Sequence, residues 1–141
     1  MNFSRILAPL DGSENSKRAL EAAIALAQKC GSSILAVFVL PFPAVQAYQP
    51  DRAAKEQIFK EAKVFLEDSK KNAESKGVQL KYEILEGSPA SAIVDYSQSA
   101  KNSVDLIVMG SRGMSGLKEA FLGSVSHHVT QKSKVPVLVV K

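Results

Sequence analysis

The stretch Val104-Asp105-Leu106-Ile107-Val108-Met109-Gly110 decides the fold. Apart from Asp105 it is apolar without alternation, as strands covered on both faces of a parallel sheet are. Such a strand is central, and its parallel neighbours need crossover connections, usually helices. Upstream, Ile6-Leu7-Ala8-Pro9-Leu10 is another short apolar run, followed by the turn Asp11-Gly12-Ser13 and a helical stripe at Leu20, Ala23, Ile24 and Ala27. Ile34 to Leu40 reads as a second strand, and Ile58, Ala62, Phe65, Leu66 and Ala73 mark a longer helix ending near Gly77. Val78 to Leu85 is a third strand. Gly87-Ser88-Pro89 then supplies a turn, an N-cap hydroxyl and a proline suited to the first position of a helix running to about Lys101. Downstream of the deciding stretch come a glycine-bearing segment from Gly110 to Gly123, a helix from about Ser124 to Lys132 and a last strand, Val135 to Val140. Strict alternation of strand and helix predicts a doubly wound α/β fold, a five-stranded parallel sheet with helices on both faces, forming one domain over residues 1–141.

With 141 residues, 45% of them apolar and 23% charged, the chain has the size and mix of a single globular domain. No apolar run reaches the ~18 residues of a membrane helix, and Met1-Asn2-Phe3-Ser4-Arg5 lacks the pattern of a signal peptide, so a cytoplasmic protein without membrane contact is expected. The net charge of +4 is spread out: Lys60, Lys63, Lys70 and Lys71 alternate with Glu61, Glu67 and Asp68. That is a solvated helix face and not a nucleic-acid patch, although it is compatible with capture of a small polyanion. The lone Cys30 excludes an internal disulfide and is expected to be a buried or bystander thiol.

Ligands of open parallel sheets settle beyond the carboxyl ends of the strands, where neighbouring crossovers diverge. Two turns lie there. The first is Pro9-Leu10-Asp11-Gly12-Ser13; the second is Gly110-Ser111-Arg112-Gly113, continuing to Gly123-Ser124-Val125-Ser126 with the spacing G-x2-G-x9-G-S. Glycines let a backbone approach a ligand closely, and a helix starting at Gly123-Ser124 directs free N–H groups at an anion. A phosphate suits that site, with Ser124 expected to act both as N-cap and as ligand and Arg112 adding a charged fork. Neither G-x4-G-K-[ST] nor G-x-G-x-x-G occurs, which removes the P-loop and Rossmann readings. From the residues alone, Asp11 reads equally as a helix cap or an Asx-turn, Arg112 as a solvated loop cation, and the glycine segment as a structural loop.

From Arg5-Ile6-Leu7-Ala8-Pro9-Leu10-Asp11-Gly12-Ser13 to Pro136-Val137-Leu138-Val139-Val140, the chain resembles the universal stress protein family in its single-domain form. The most specific part is Val108-Met109-Gly110-Ser111-Arg112-Gly113 with Leu122-Gly123-Ser124-Val125-Ser126, which is similar to the motif of the ATP-binding branch. The resemblance implies a strand order of 3-2-1-4-5, a homodimer, and ATP held with Mg²⁺ or Mn²⁺ carried mainly by its phosphates. It places Pro9, Leu10 and Asp11 by the adenosine, with Asp11 near the ribose and phosphates. Val39 would contact the base, Phe38 taking its place if the strand is shifted by one residue. Met109 and Gly110 would continue that wall, Arg112 and Gly113 would line the phosphate path, and Gly123, Ser124, Val125 and Ser126 would bind phosphate through backbone and hydroxyl groups. With that strand order the switch point falls between the first and fourth strands, so the Asp11 turn and the Gly110 loop flank one crevice.

Val135 to Val140 is apolar on both faces at an expected sheet edge, so the homodimer is expected to pair this strand with its copy across a two-fold axis. Neither catalytic residues nor a metal site is assigned. His127 and His128 are adjacent in a helix, pointing about 100° apart, without Cys or acidic partners at ligand spacing. The expected role is nucleotide-dependent regulation, with 41–51 and 110–122 as the segments that could respond to a ligand. The alternatives are a slow ATP hydrolase or phosphotransfer enzyme, for which no general base or second carboxylate stands out, and a protein-interaction module without nucleotide.

Overall fold

The computed structural model describes residues 1–40, 52–113 and 122–141. The segment 41–51 and residues 114–121 of the 110–122 segment, expected above to respond to a ligand, lie outside the described residues. Strands β1 (Arg5–Leu10), β2 (Ser33–Leu40), β3 (Leu80–Glu86), β4 (Leu106–Gly110) and β5 (Val137–Val140) form one sheet in the order β3-β2-β1-β4-β5. All four pairings are parallel, for example Ile6 opposite both Ile34 and Leu106. Helices α1 (Glu14–Cys30), α2 (Arg52–Ser75), α3 (Pro89–Gln98) and α4 (Ser124–Lys132) alternate with the strands. The fold and strand order are therefore those expected.

The central strands are apolar on both faces because both faces are covered. Ile6, Ala8, Ile34, Leu106 and Val108 pack with Leu20, Ala23 and Ile24 of α1 and Leu66 and Ala73 of α2. On the other face, Leu7, Val37, Val39, Ile107 and Met109 pack with Ile93 and Val94 of α3 and Val129 of α4. Helices α1 and α2 thus share one face and α3 and α4 the other, so the crossovers diverge between β1 and β4.

Several boundaries differ from expectation, each for a polar reason. Helix α3 stops at Gln98 instead of Lys101, where Ser99 turns extended and a single 3-10 turn follows over Ala100–Asn102. The Asn102 amide donates to the Tyr96 carbonyl, competing for the carbonyls that would carry the helix on. Strand β4 starts at Leu106 and not Val104, because the Asp105 carboxylate accepts from the main-chain N–H groups of Ser4 and Arg5 and ties the strand entry to β1. Strand β5 starts at Val137: the Ser133 hydroxyl bonds both polar main-chain groups of Val135, and Pro136 has no N–H to give. Of the two expected settings for Cys30, the structure has the exposed one: it lies at the end of α1, which closes just beyond it at Gly31, in the left-handed conformation with φ 69°.

Candidate functional site

At the carboxyl end of the sheet, β1 runs into the turn Asp11-Gly12-Ser13, where Gly12 takes a φ of 83° that other residues avoid. The Asp11 carboxylate accepts from Ser13 N–H at 2.9 Å, an Asx-turn, and the Ser13 hydroxyl caps α1 by accepting from Ser16 N–H at 3.1 Å. Only one oxygen of Asp11 is used in the turn. The other lies toward Gly113, where a Cβ would stand 2.8 Å from it, so the Asp11 turn and the Gly110 loop meet across the switch point.

The two ends of the second loop are joined by Ser111. Its carbonyl accepts from Gly123 N–H at 2.7 Å and from the Ser126 hydroxyl at 2.8 Å. Gly123, not Ser124, is the N-cap of α4; Ser124 is the first helical residue. A glycine cap has no side chain to offer, and the first turn holds no acidic residue. The first intrahelical bond is His127 N–H to the Gly123 carbonyl, which leaves the N–H groups of Ser124, Val125 and Ser126 without a main-chain acceptor among the described residues. Ser126 is almost fully buried, and its one hydroxyl proton is shared between the Ser111 carbonyl at 2.8 Å and the Gly123 carbonyl at 3.1 Å.

These elements enclose a cavity of about 490 Å³, within the usual range of small-molecule sites. All twelve residues singled out in the sequence line it: Pro9, Leu10 and Asp11 from β1 and its turn; Val39 from β2; Met109, Gly110, Arg112 and Gly113 from β4 and the loop after it; and Gly123, Ser124, Val125 and Ser126 from the start of α4. One part is apolar, where Val37, Val39, Ile93 and Met109 pack together. The other is formed by Arg112, Gly113 and the first turn of α4 from Gly123 to Ser126, at the positive end of a helix dipole worth about 0.3–1 kcal/mol per anion contact and up to ~2 when partly buried. An elongated ligand with an apolar ring and an anionic tail matches that division.

Phe38 and Val39 both reach the cavity but from opposite pleats. Val39 belongs to the α3–α4 face, whereas the Phe38 ring meets Phe65 of α2 edge-on at 6.2 Å. Ser16, Val37, Pro89 and Ile93 also line the cavity and were not singled out in the sequence. Pro89 and Ile93 are one helical turn apart at the start of α3, so the rule that each crossover helix begins at the carboxyl end of the sheet would have found them. His127 and His128 are not among the lining residues. No cluster of three His, Cys, Asp or Glu side chains that could hold a metal occurs among the described residues.

Comparison with known proteins decides the family: the model described as "Universal stress protein family" matches residues 2–141. The chain belongs to the universal stress protein family. It is 41% identical to universal stress protein YxiE of Bacillus subtilis over 149 aligned positions, covering 99% of both chains. The solved structure of MJ0577, a universal stress protein of Methanocaldococcus jannaschii, superposes with a TM-score of 0.88 at 34% identity, covering 100% of this chain and 97% of that one. A universal stress protein solved in complex with cAMP superposes with a TM-score of 0.70 at 25% identity, covering 100% and 98%. No helix among the described residues is long and apolar enough to cross a membrane.

Proposed function

We propose that this universal stress protein is a single-domain ATP-binding regulatory module of the cytoplasm. The carrying observation is the start of α4: three N–H groups under a glycine cap, beside Arg112, open on a cavity whose other part is apolar. The cAMP complex of a solved relative supports an adenine nucleotide as occupant. Adenine would lie against Val39 and Met109, the ribose by Asp11, and the phosphates along Arg112, Gly113 and the amides of residues 124–126. A divalent cation would be carried mainly by the phosphates. Among the described residues β5 pairs only with β4 and leaves Leu138 43% exposed, which supports a homodimer built by pairing this strand with its copy.

Calorimetry with ATP and Mg²⁺ is expected to show one saturable site per chain. Ser124→Pro sharpens the test: proline is well suited to the first helical position, and Gly123 already has the extended ψ of 165° that a residue before proline prefers. The variant loses one N–H and the Ser124 hydroxyl and keeps the helix, so ATP affinity should fall about fivefold to tenfold while adenosine affinity holds. Absence of heat with any adenine nucleotide, together with no nucleotide released on denaturing fresh protein, overturns the reading.

A further inference from the structure

Asn15 lies in the first turn of α1, 8% exposed, and is not among the residues lining the cavity. A polar side chain held out of water needs partners. The Asn15 amide donates to the Ser111 hydroxyl at 3.4 Å, and its carbonyl accepts from the Arg18 guanidinium. The contact is reinforced by packing. A Cβ on Gly110 would stand 3.1 Å from the carbon and oxygen of the Asn15 backbone carbonyl and 3.2 Å from the Asn15 Cβ, so α1 presses directly on the start of the loop. Ser111, 3% exposed, is the residue whose carbonyl holds Gly123 and Ser126, and its N–H donates to the Val140 carbonyl at 2.8 Å. Arg18 reaches in turn to the Lys141 carbonyl at 3.3 Å.

The geometry points to Asn15, steadied by Arg18 and acting through Ser111, as a positioning residue for the anion-binding amides of α4. The inference rests on the nucleotide reading above. Ser111 has three anchors: α1 through its hydroxyl, β5 through its N–H, and the start of α4 through its carbonyl. Gly123 caps α4 without a side chain and is held by the Ser111 carbonyl, so the direction of the N–H groups of residues 124–126 is set largely by where that carbonyl stands. Releasing Ser111 from Asn15 blurs that direction while the apolar wall of Val39 on β2 and Ile93 on α3 stays in place. The signature of a positioning role is therefore a loss confined to the phosphates.

The test measures ATP and adenosine affinities by calorimetry for the full-length wild type and for Asn15→Ala and Arg18→Ala. Asn15→Ala is expected to bind ATP about tenfold more weakly and Arg18→Ala about threefold, with adenosine affinity unchanged in both. Equal loss for both ligands means general loosening and overturns the proposal, as does unchanged ATP affinity in folded Asn15→Ala. Should Asn15→Ala fail to fold, Arg18→Ala, altered at an exposed position, decides by the same ratio. If Ser124→Pro weakens ATP and Asn15→Ala does not, the positioning role falls alone. A wild-type protein that binds neither ligand removes the nucleotide reading and this inference with it.

Discussion

The two ends of the sheet meet the same difficulty, strands and helices stopping with polar groups in hand, and resolve it in opposite ways. At the amino end the protein satisfies itself. Asp105 accepts from Ser4 and Arg5, the Arg5 guanidinium donates to the Asn102 carbonyl, the Asn102 amide to the Tyr96 carbonyl, and the Ser32 hydroxyl to the Phe3 carbonyl. At the carboxyl end α1 is capped by the Ser13 hydroxyl, but α4 starts at Gly123 without a capping side chain, and its first turn lines a cavity. One end is closed by its own side chains. The other leaves the start of α4 open toward a cavity. Stability and binding should therefore separate when the two ends are altered one at a time.

Gly113→Val should give the largest effect, and on binding alone. The added Cβ would meet an Asp11 oxygen at 2.8 Å, and that carboxylate can swing away without disturbing the core. Swinging fills the crevice, so ATP affinity should fall on the order of 100-fold by calorimetry, with the thermal midpoint barely moved. Asp105→Ala is the converse. It strips two main-chain N–H groups of their acceptor, with an expected loss of about 2 kcal/mol in urea unfolding and ATP affinity kept within about twofold. An equal effect of either variant on both measurements would erase the distinction between the ends.

The smallest effect concerns the closed end at high pH. Burial, then the Glu83 carboxylate beside it, pushes the Tyr96 hydroxyl up from its ordinary value of 10.0 to about 12. The neutral phenol is thus favoured in the folded state. Its stabilisation is fully present below pH 10 and is lost as pH rises through about 12. Tyr82 is raised as well, by its hydrogen bond to Glu67. Tyr96→Phe should soften the fall in stability between pH 10 and 12 and leave neutral-pH binding unchanged, as read from unfolding midpoints across that range. A decline as steep as that of the wild type would mean that Tyr96 contributes nothing to it.

The fold was legible because burial on both faces leaves an unmistakable mark: Leu106 to Met109 and Ile34 to Leu40 are apolar runs that few other settings tolerate. The cavity's glycines and the Asp11 turn were legible for a related reason, since Gly-rich breaks directly after such runs lie at the ligand-binding end of the sheet. Less visible was anything that depends on which polar group meets which. Ser124 and Gly123 are both acceptable caps in one dimension, and what separates them is the extended backbone of Gly123 and the bond that its carbonyl accepts from His127 N–H. Nor does the sequence show that the Ser126 hydroxyl, expected among the phosphate ligands, lies against the Ser111 and Gly123 carbonyls. Asn15 looks like an ordinary first-turn residue, because its partner Ser111 is 96 positions away.

The pleat of β2 has a consequence for how this scaffold can diversify. Phe38 and Val39 are neighbours in sequence, yet Phe38 packs beneath α2 and Val39 beneath α3. Enlarging or reshaping the room for a ligand's ring can proceed through Val39, Ile93 and Met109 while the Phe38–Phe65 packing stays untouched. Descendants of this protein could thus exchange one small molecule for another by swapping a few aliphatic residues, keeping half of the interior as an inherited constant.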